Sequence, residues 1–206
     1  MENLIIDVDG NKYKTVQIGN QIWMAENLRV THFANGDEIQ VIEDDKEWEK
    51  AGHEKKPATC CFQNKPANEK TYGKLYNWFS VTDPRGLAPE GWHIPTEEEW
   101  KELENFVGKR DAGTKLKSTE GWHRKKNGTN ETGFNGLPGG DRSWNGVSES
   151  DDLKRFVYWY SFDSNFVAGI KLEWNFDKII LFGIGKSMSG ECGYGTGLYV
   201  RCIKNK

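Results

Sequence analysis

HIPTEEEW, residues His93–Trp100, sets three consecutive glutamates between a proline and a tryptophan. Carboxylates so placed serve as catalytic groups, as metal ligands, or as the first turn of a helix. Helix physics accounts for all three. Thr96 stands at an N-cap position, and Glu99, three residues on, completes a Thr-x-x-Glu capping box. Glu97 and Glu98 fall in the first turn, where the helix dipole favours negative charge. Trp100, Leu103, Phe106 and Val107 then form an apolar stripe, and Gly108 is suited to end the helix. The stretch predicts a capped amphipathic helix over 97–107. His93, between Trp92 and the cap, reads as a packed, hydrogen-bonded side chain.

Upstream, Tyr72, Leu75, Tyr76 and Phe79 recur at helical spacing, which predicts a second amphipathic helix over 68–81, stopped by Asp83-Pro84-Arg85-Gly86. Residues 43–57 carry a dense charge run and read as a short exposed helix around Trp48 followed by a loop. Residues 1–42 read as a β meander. Asp9-Gly10, Gly19-Asn20 and Asn35-Gly36 are turn signals around the alternating Tyr13–Ile18 and the short Gln21–Met24. From 113 onward helical periodicity gives way to short β segments at 156–161, 167–172, 178–182 and 198–203. Strands, two helices over 68–108, then strands with long loops over 113–206 make one α+β domain across residues 1–206.

Composition agrees. The 206 residues include nine Trp, seven Tyr, ten Phe and 23 Gly, which suits a loop-rich fold of short strands with aromatic cores. A net charge of −3 offers no clustered cationic surface for nucleic acid. The basic run His123-Arg124-Lys125-Lys126 is short and reads as a solvated loop. No apolar run of membrane-spanning length exists, which excludes membrane insertion by a helix. Met1–Asp7 lacks the pattern of a secretory leader, so the chain either stays inside the cell or begins after a removed signal. The four cysteines, Cys60, Cys61, Cys192 and Cys202, hold no CxxC zinc pair. Adjacent Cys60 and Cys61 face opposite sides of a strand. Cys192 and Cys202 suit either a hairpin disulfide or two buried thiols.

Five stretches, taken together and in this order, carry a resemblance: DVDGNKYKTVQIGNQIWMAENLRV (7–30), YGKLYNWFSV (72–81), LAPEGWHIPTEEEW (87–100), ETGFNGLPGGDR (131–142) and GLYVRCIK (197–204). The chain resembles the Fibrobacter succinogenes major paralogous domain family, a repeated surface-protein domain. That resemblance implies a C-type lectin-like fold related to the formylglycine-generating enzymes. Two helices would pack on small antiparallel sheets, with a long irregular loop region as the ligand face. It also implies an extracellular or cell-surface location. Where members carry Trp-Ser-Ser, this chain reads Trp159-Tyr160-Ser161.

A recognition surface on irregular loops needs rigid aromatics and adaptable polar groups. The segment expected to form it supplies Asp141, Arg142, Trp144, Asn145, Asp163, Asn165, Phe166, Glu173, Trp174, Asn175 and Tyr194. Trp144, beside Asn145-Gly146, is the expected exposed anchor, whereas Trp159 is expected in the core. The expected role is a non-catalytic binding module for a protein or glycan. One alternative is a redox or formylglycine-type enzyme using Cys192 and Cys202. Another is a structural repeat unit of a surface protein. No metal or cofactor is called for. Glu173-Trp174-Asn175-Phe176-Asp177 only loosely echoes the Trp-Asn-Asp element of calcium-dependent lectins, and an ordinary strand or turn explains it.

Overall fold

Turn chemistry at the amino-terminal end does what the dipeptides predict. Asp7 accepts from the backbone N–H groups of Asp9 and Asn11 and from the side chain of Asn11, and Gly10 takes a φ of 81°. This folds β1 (Leu4–Ile6) against β2 (Lys12–Ile18), and Gly19-Asn20 then turns β2 into β3 (Gln21–Met24). The computed structural model describes residues 4–147, 154–162, 167–184 and 190–206. It is a mixed α+β structure with 25% helix, 28% strand and two sheets.

Along the chain follow β4 (Gln40–Val41), α1 (Asp45–His53), β5 (Ala58–Cys61), α2 (Glu69–Tyr72), β6 (Lys74–Tyr76), α3 (Trp78–Val81), β7 (Trp92–His93), α4 (Glu97–Val107) and α5 (Ala112–Leu116). The last third holds β8 (Phe156–Ser161), β9 (Val167–Glu173), β10 (Ile180–Ile184), α6 (Gly190–Gly195), β11 (Leu198–Tyr199) and β12 (Ile203–Lys204). The five-stranded sheet runs β1-β2-β3-β12-β7, and the seven-stranded sheet runs β10-β9-β8-β11-β6-β5-β4. Residues 198–203, expected as one strand, are split between the two sheets. Val200, Arg201 and Cys202 cross buried from one to the other. The last strand thus sits inside the first sheet, with Ile203 between Trp23 and His93.

Helix α4 forms as predicted. Thr96 accepts from the Glu99 N–H, and the Glu99 carboxylate accepts from the Thr96 N–H. The same carboxylate lies 2.9 Å from His93 Nε2, and the Asn205 side chain meets His93 Nδ1 at 2.7 Å. Trp100, Leu103 and Val107 are buried, but Phe106 is 67% exposed. At 100° per residue it lies about 60° outside the stripe's edge at Leu103, where its ring covers Gly19. Removing the cap with Thr96→Ala should destabilise the protein by about 1 kcal/mol, read as a lowered midpoint in urea denaturation. An unchanged midpoint would show that tertiary packing alone sets the helix start.

The predicted helix over 68–81 does not form as one element. Gly73 breaks it at φ 77°, pressed against Asn27, where a Cβ would meet the Asn27 Cβ at 2.7 Å. Lys74–Tyr76 instead become a fully buried strand between β5 and β11. Helix α1 does form in the charged run, capped by Asp44, but Trp48 points inward and donates to the Gly195 carbonyl.

The core between the sheets is aromatic. Trp23 and Trp100 lie 4.5 Å apart, and Phe134 meets both and also Trp159 at 5.5 Å. Trp159 is fully buried, as expected. Arg201 stacks over Phe134 and Trp159 at 4.3 and 5.1 Å and donates to the Phe134 carbonyl. Asn27 Oδ1 accepts from Arg201 Nε and Nη2 at 3.0 and 2.7 Å and from Trp159 Nε1 at 2.7 Å. Burial pushes the guanidinium pKa down to about 9, so it keeps its charge at neutral pH. Cation–π contacts and polar acceptors hold that charge, and the Glu26 carboxylate favours it through space without a direct ion pair.

Candidate functional site

Of the eleven residues expected on the ligand face, Arg142 is a correction. It is 1% exposed and works as an internal clamp. Its guanidinium donates to the carbonyls of Ile42, Glu43 and Gly146 at 2.6, 2.9 and 2.9 Å, and to Asp45 Oδ1 at 2.9 Å. It also stacks 4.6 Å over Trp48. This clamp fixes the 143–147 turn on the start of α1, where Gly146, at φ 84°, has no room for a side chain against Asp45.

The turn so held presents Trp144 and Asn145. Asn145 is exposed. Trp144 is half-buried rather than freely exposed, edge-on to His53 at 6.2 Å and against Gly195 of α6. Gly52 and Gly195 let α1 and α6 approach closely enough to seat it. Tyr194, next in α6, is half-buried on Trp78 and Phe79 at 6.4 and 6.0 Å. Asp141 is half-buried at the start of the segment. Asp163, Asn165 and Phe166 lie outside the described residues.

A second patch forms where β9 ends. Buried Lys117 donates to the carbonyls of Glu173 and Phe176 at 3.2 and 3.1 Å, and Thr114 Oγ1 donates to Asp177 at 2.8 Å. Burial lowers the Lys117 pKa, and no carboxylate pairs with it in these contacts. The tied turn displays Trp174, half-buried, with Asn175 and Phe176 exposed beyond it. His123 packs edge-on to Trp174 at 5.0 Å, and exposed Arg124 sits 5.8 Å over its ring. Glu173 pairs with Lys171 at 3.1 Å. The loop read only as solvated charge therefore supplies two neighbours of Trp174. The sequence signal was His123 and Arg124 themselves, but their distance from Trp174 along the chain hid the contact.

The loosely calcium-like run is a turn, with Asp177 engaged by Thr114. Among the described residues no three His, Cys, Asp or Glu side chains gather as a metal site. Nor is any helix among them long and apolar enough to cross a membrane. Cys202 is a free, fully buried thiol, not half of a disulfide, and burial raises its pKa far above the usual thiol value, while the Cys192 side chain lies outside the described residues. Cys60 is likewise free and buried, its pKa pushed up to about 11.

A family model, the Fibrobacter succinogenes major domain, matches residues 16–204. No curated protein and no solved structure matches the chain.

Proposed function

The chain belongs to the Fibrobacter succinogenes major domain family, and on that footing we propose that it is a non-catalytic binding module of a bacterial surface or secreted protein, built on a C-type lectin-like scaffold. The observation that carries this reading is the Trp174 turn. A buried lysine fixes its backbone and a threonine holds the Asp177 side chain, while Asn175 and Arg124 lie exposed beside an indole whose other side packs on the core. A rigid aromatic flanked by hydrogen-bonding groups supplies contact area at low entropic cost. The Trp144–Asn145 turn repeats the arrangement beside α1. A protein ligand is favoured over a glycan, because among the described residues no cluster of acidic side chains gathers as a lectin-type calcium site would require.

The burial of Cys202 weighs against the enzyme reading, since a reactive thiol needs solvent access and a lowered pKa.

The test is a screen of the chain on glycan and surface-protein arrays, with Trp174→Ala and Trp144→Ala beside it. A ligand should appear, and Trp174→Ala should weaken it by about tenfold or more, the size of an aromatic hot spot, with the fold retained by circular dichroism. Silence on both arrays would favour a structural repeat unit. Binding indifferent to both substitutions would move the site elsewhere.

A further inference from the structure

A small pocket shares no residue with either aromatic patch. Its floor follows from register. Ser161 of β8 pairs with Ala168 of β9, and Ala168 pairs with Gly183 of β10, so three small residues line up across three strands. Two residues along, the same face carries Trp159, Ile170 and Leu181. The sheet surface therefore steps down at the small row. Leu181 walls the depression on one side, and Glu97, in the first turn of α4, closes it. Its volume is ≈ 170 Å³, below the range of cofactor sites and suited to one side chain.

The polar groups choose the occupant. Ser161 is 1% exposed, and its hydroxyl has no hydrogen-bond partner among the described residues. Such a group is costly to leave unpaired. Glu97 brings a carboxylate already shared with Lys101 on the helix surface, and a carboxylate keeps lone pairs for a second donor. Glu98, exposed beside it, repels an anion. An apolar wall with acceptors at its end matches an alkyl chain tipped by a cation. A lysine ammonium has three donors and no acceptor.

We propose that this pocket receives a lysine side chain presented by a protein partner, its alkyl stem along Ala168 and Leu181 and its ammonium donating to Glu97 and the Ser161 hydroxyl. The proposal stands independently of the aromatic patches. It is tested by titrating the whole 15N-labelled chain with Nα-acetyl-lysine methylamide. Nα-acetyl-norleucine methylamide serves as the uncharged stem, and 1,5-diaminopentane as a free amine. The lysine probe should shift the Ser161, Ala168 and Gly183 amides. The norleucine probe should bind about tenfold more weakly, as expected for loss of a charge-assisted hydrogen bond. Glu97→Gln, on an exposed helix turn, should abolish that preference. Ser161→Ala should keep the fold and weaken the lysine probe several-fold. Shifts absent from those amides, equal binding of the two probes, or a preference surviving in Glu97→Gln would overturn the proposal. Tighter binding of the diamine than of the lysine probe would do so as well.

Discussion

Replacing Asn27 with alanine is expected to destabilise the protein by about 3–5 kcal/mol, the range for breaking a buried charge's hydrogen-bonding set. Asn27 is the hub of the core's polar contacts. One carbonyl oxygen takes donors from Arg201 and Trp159, and the amide group donates to the Tyr72 carbonyl at 2.8 Å. Its loss leaves a fully buried guanidinium with the Phe134 carbonyl and two aromatic faces, and strands the Trp159 N–H. The matching measurement is a double-mutant cycle with Arg201→Met in urea. Once the charge is gone, Asn27→Ala should cost far less, giving a coupling of about 1–3 kcal/mol. Strictly additive costs would show that the two side chains do not act as a unit.

The second large effect concerns Arg142. Arg142→Ala should cost about 3 kcal/mol or more, because it strands the buried acceptors at Gly146 and Ile42, frees the part-buried Glu43 carbonyl and empties the space over Trp48. Arg142→Lys should recover little, since a lysine lacks the planar fork that reaches Ile42, Glu43 and Gly146 at once. Hydrogen exchange should quicken across 142–147 before the rest of the chain opens. A variant with native stability but impaired binding would return Arg142 to the ligand face.

Local chemistry was legible in the sequence, and long-range contact was not. The α4 cap, the Asp7–Asn11 turn and the Gly19-Asn20 hairpin depend on residues within a few positions of each other, so their side chains announce them. The break at Gly73 depends on Asn27 and Leu28, far away in the chain. Tyr72, Leu75 and Tyr76 look helical because a strand buried on both faces shows a continuous apolar run, which periodicity cannot tell from a helix. Even Lys74 is buried there, paired with Glu69 at 3.1 Å. Arg142 looked like a recognition residue for a related reason. A charged side chain in a glycine-rich loop is usually exposed, and only the arrival of α1 turns it into an internal clamp. In the candidate site, the tryptophans and asparagines were found by composition. Their partners His53, His123 and Arg124 came from segments that sequence separation had set apart.

The insertion of β12 beside β3 has a bearing on how the protein is made. Cys202, whose carbonyl receives the Met24 N–H, leaves the ribosome 178 residues after Met24. At translation speeds of about 5–20 residues per second, the amino-terminal meander waits roughly 10–40 s with one margin open. For that interval the open margin of β3, with its unpaired backbone groups, is available to any passing strand. The first sheet closes only once β12 has emerged.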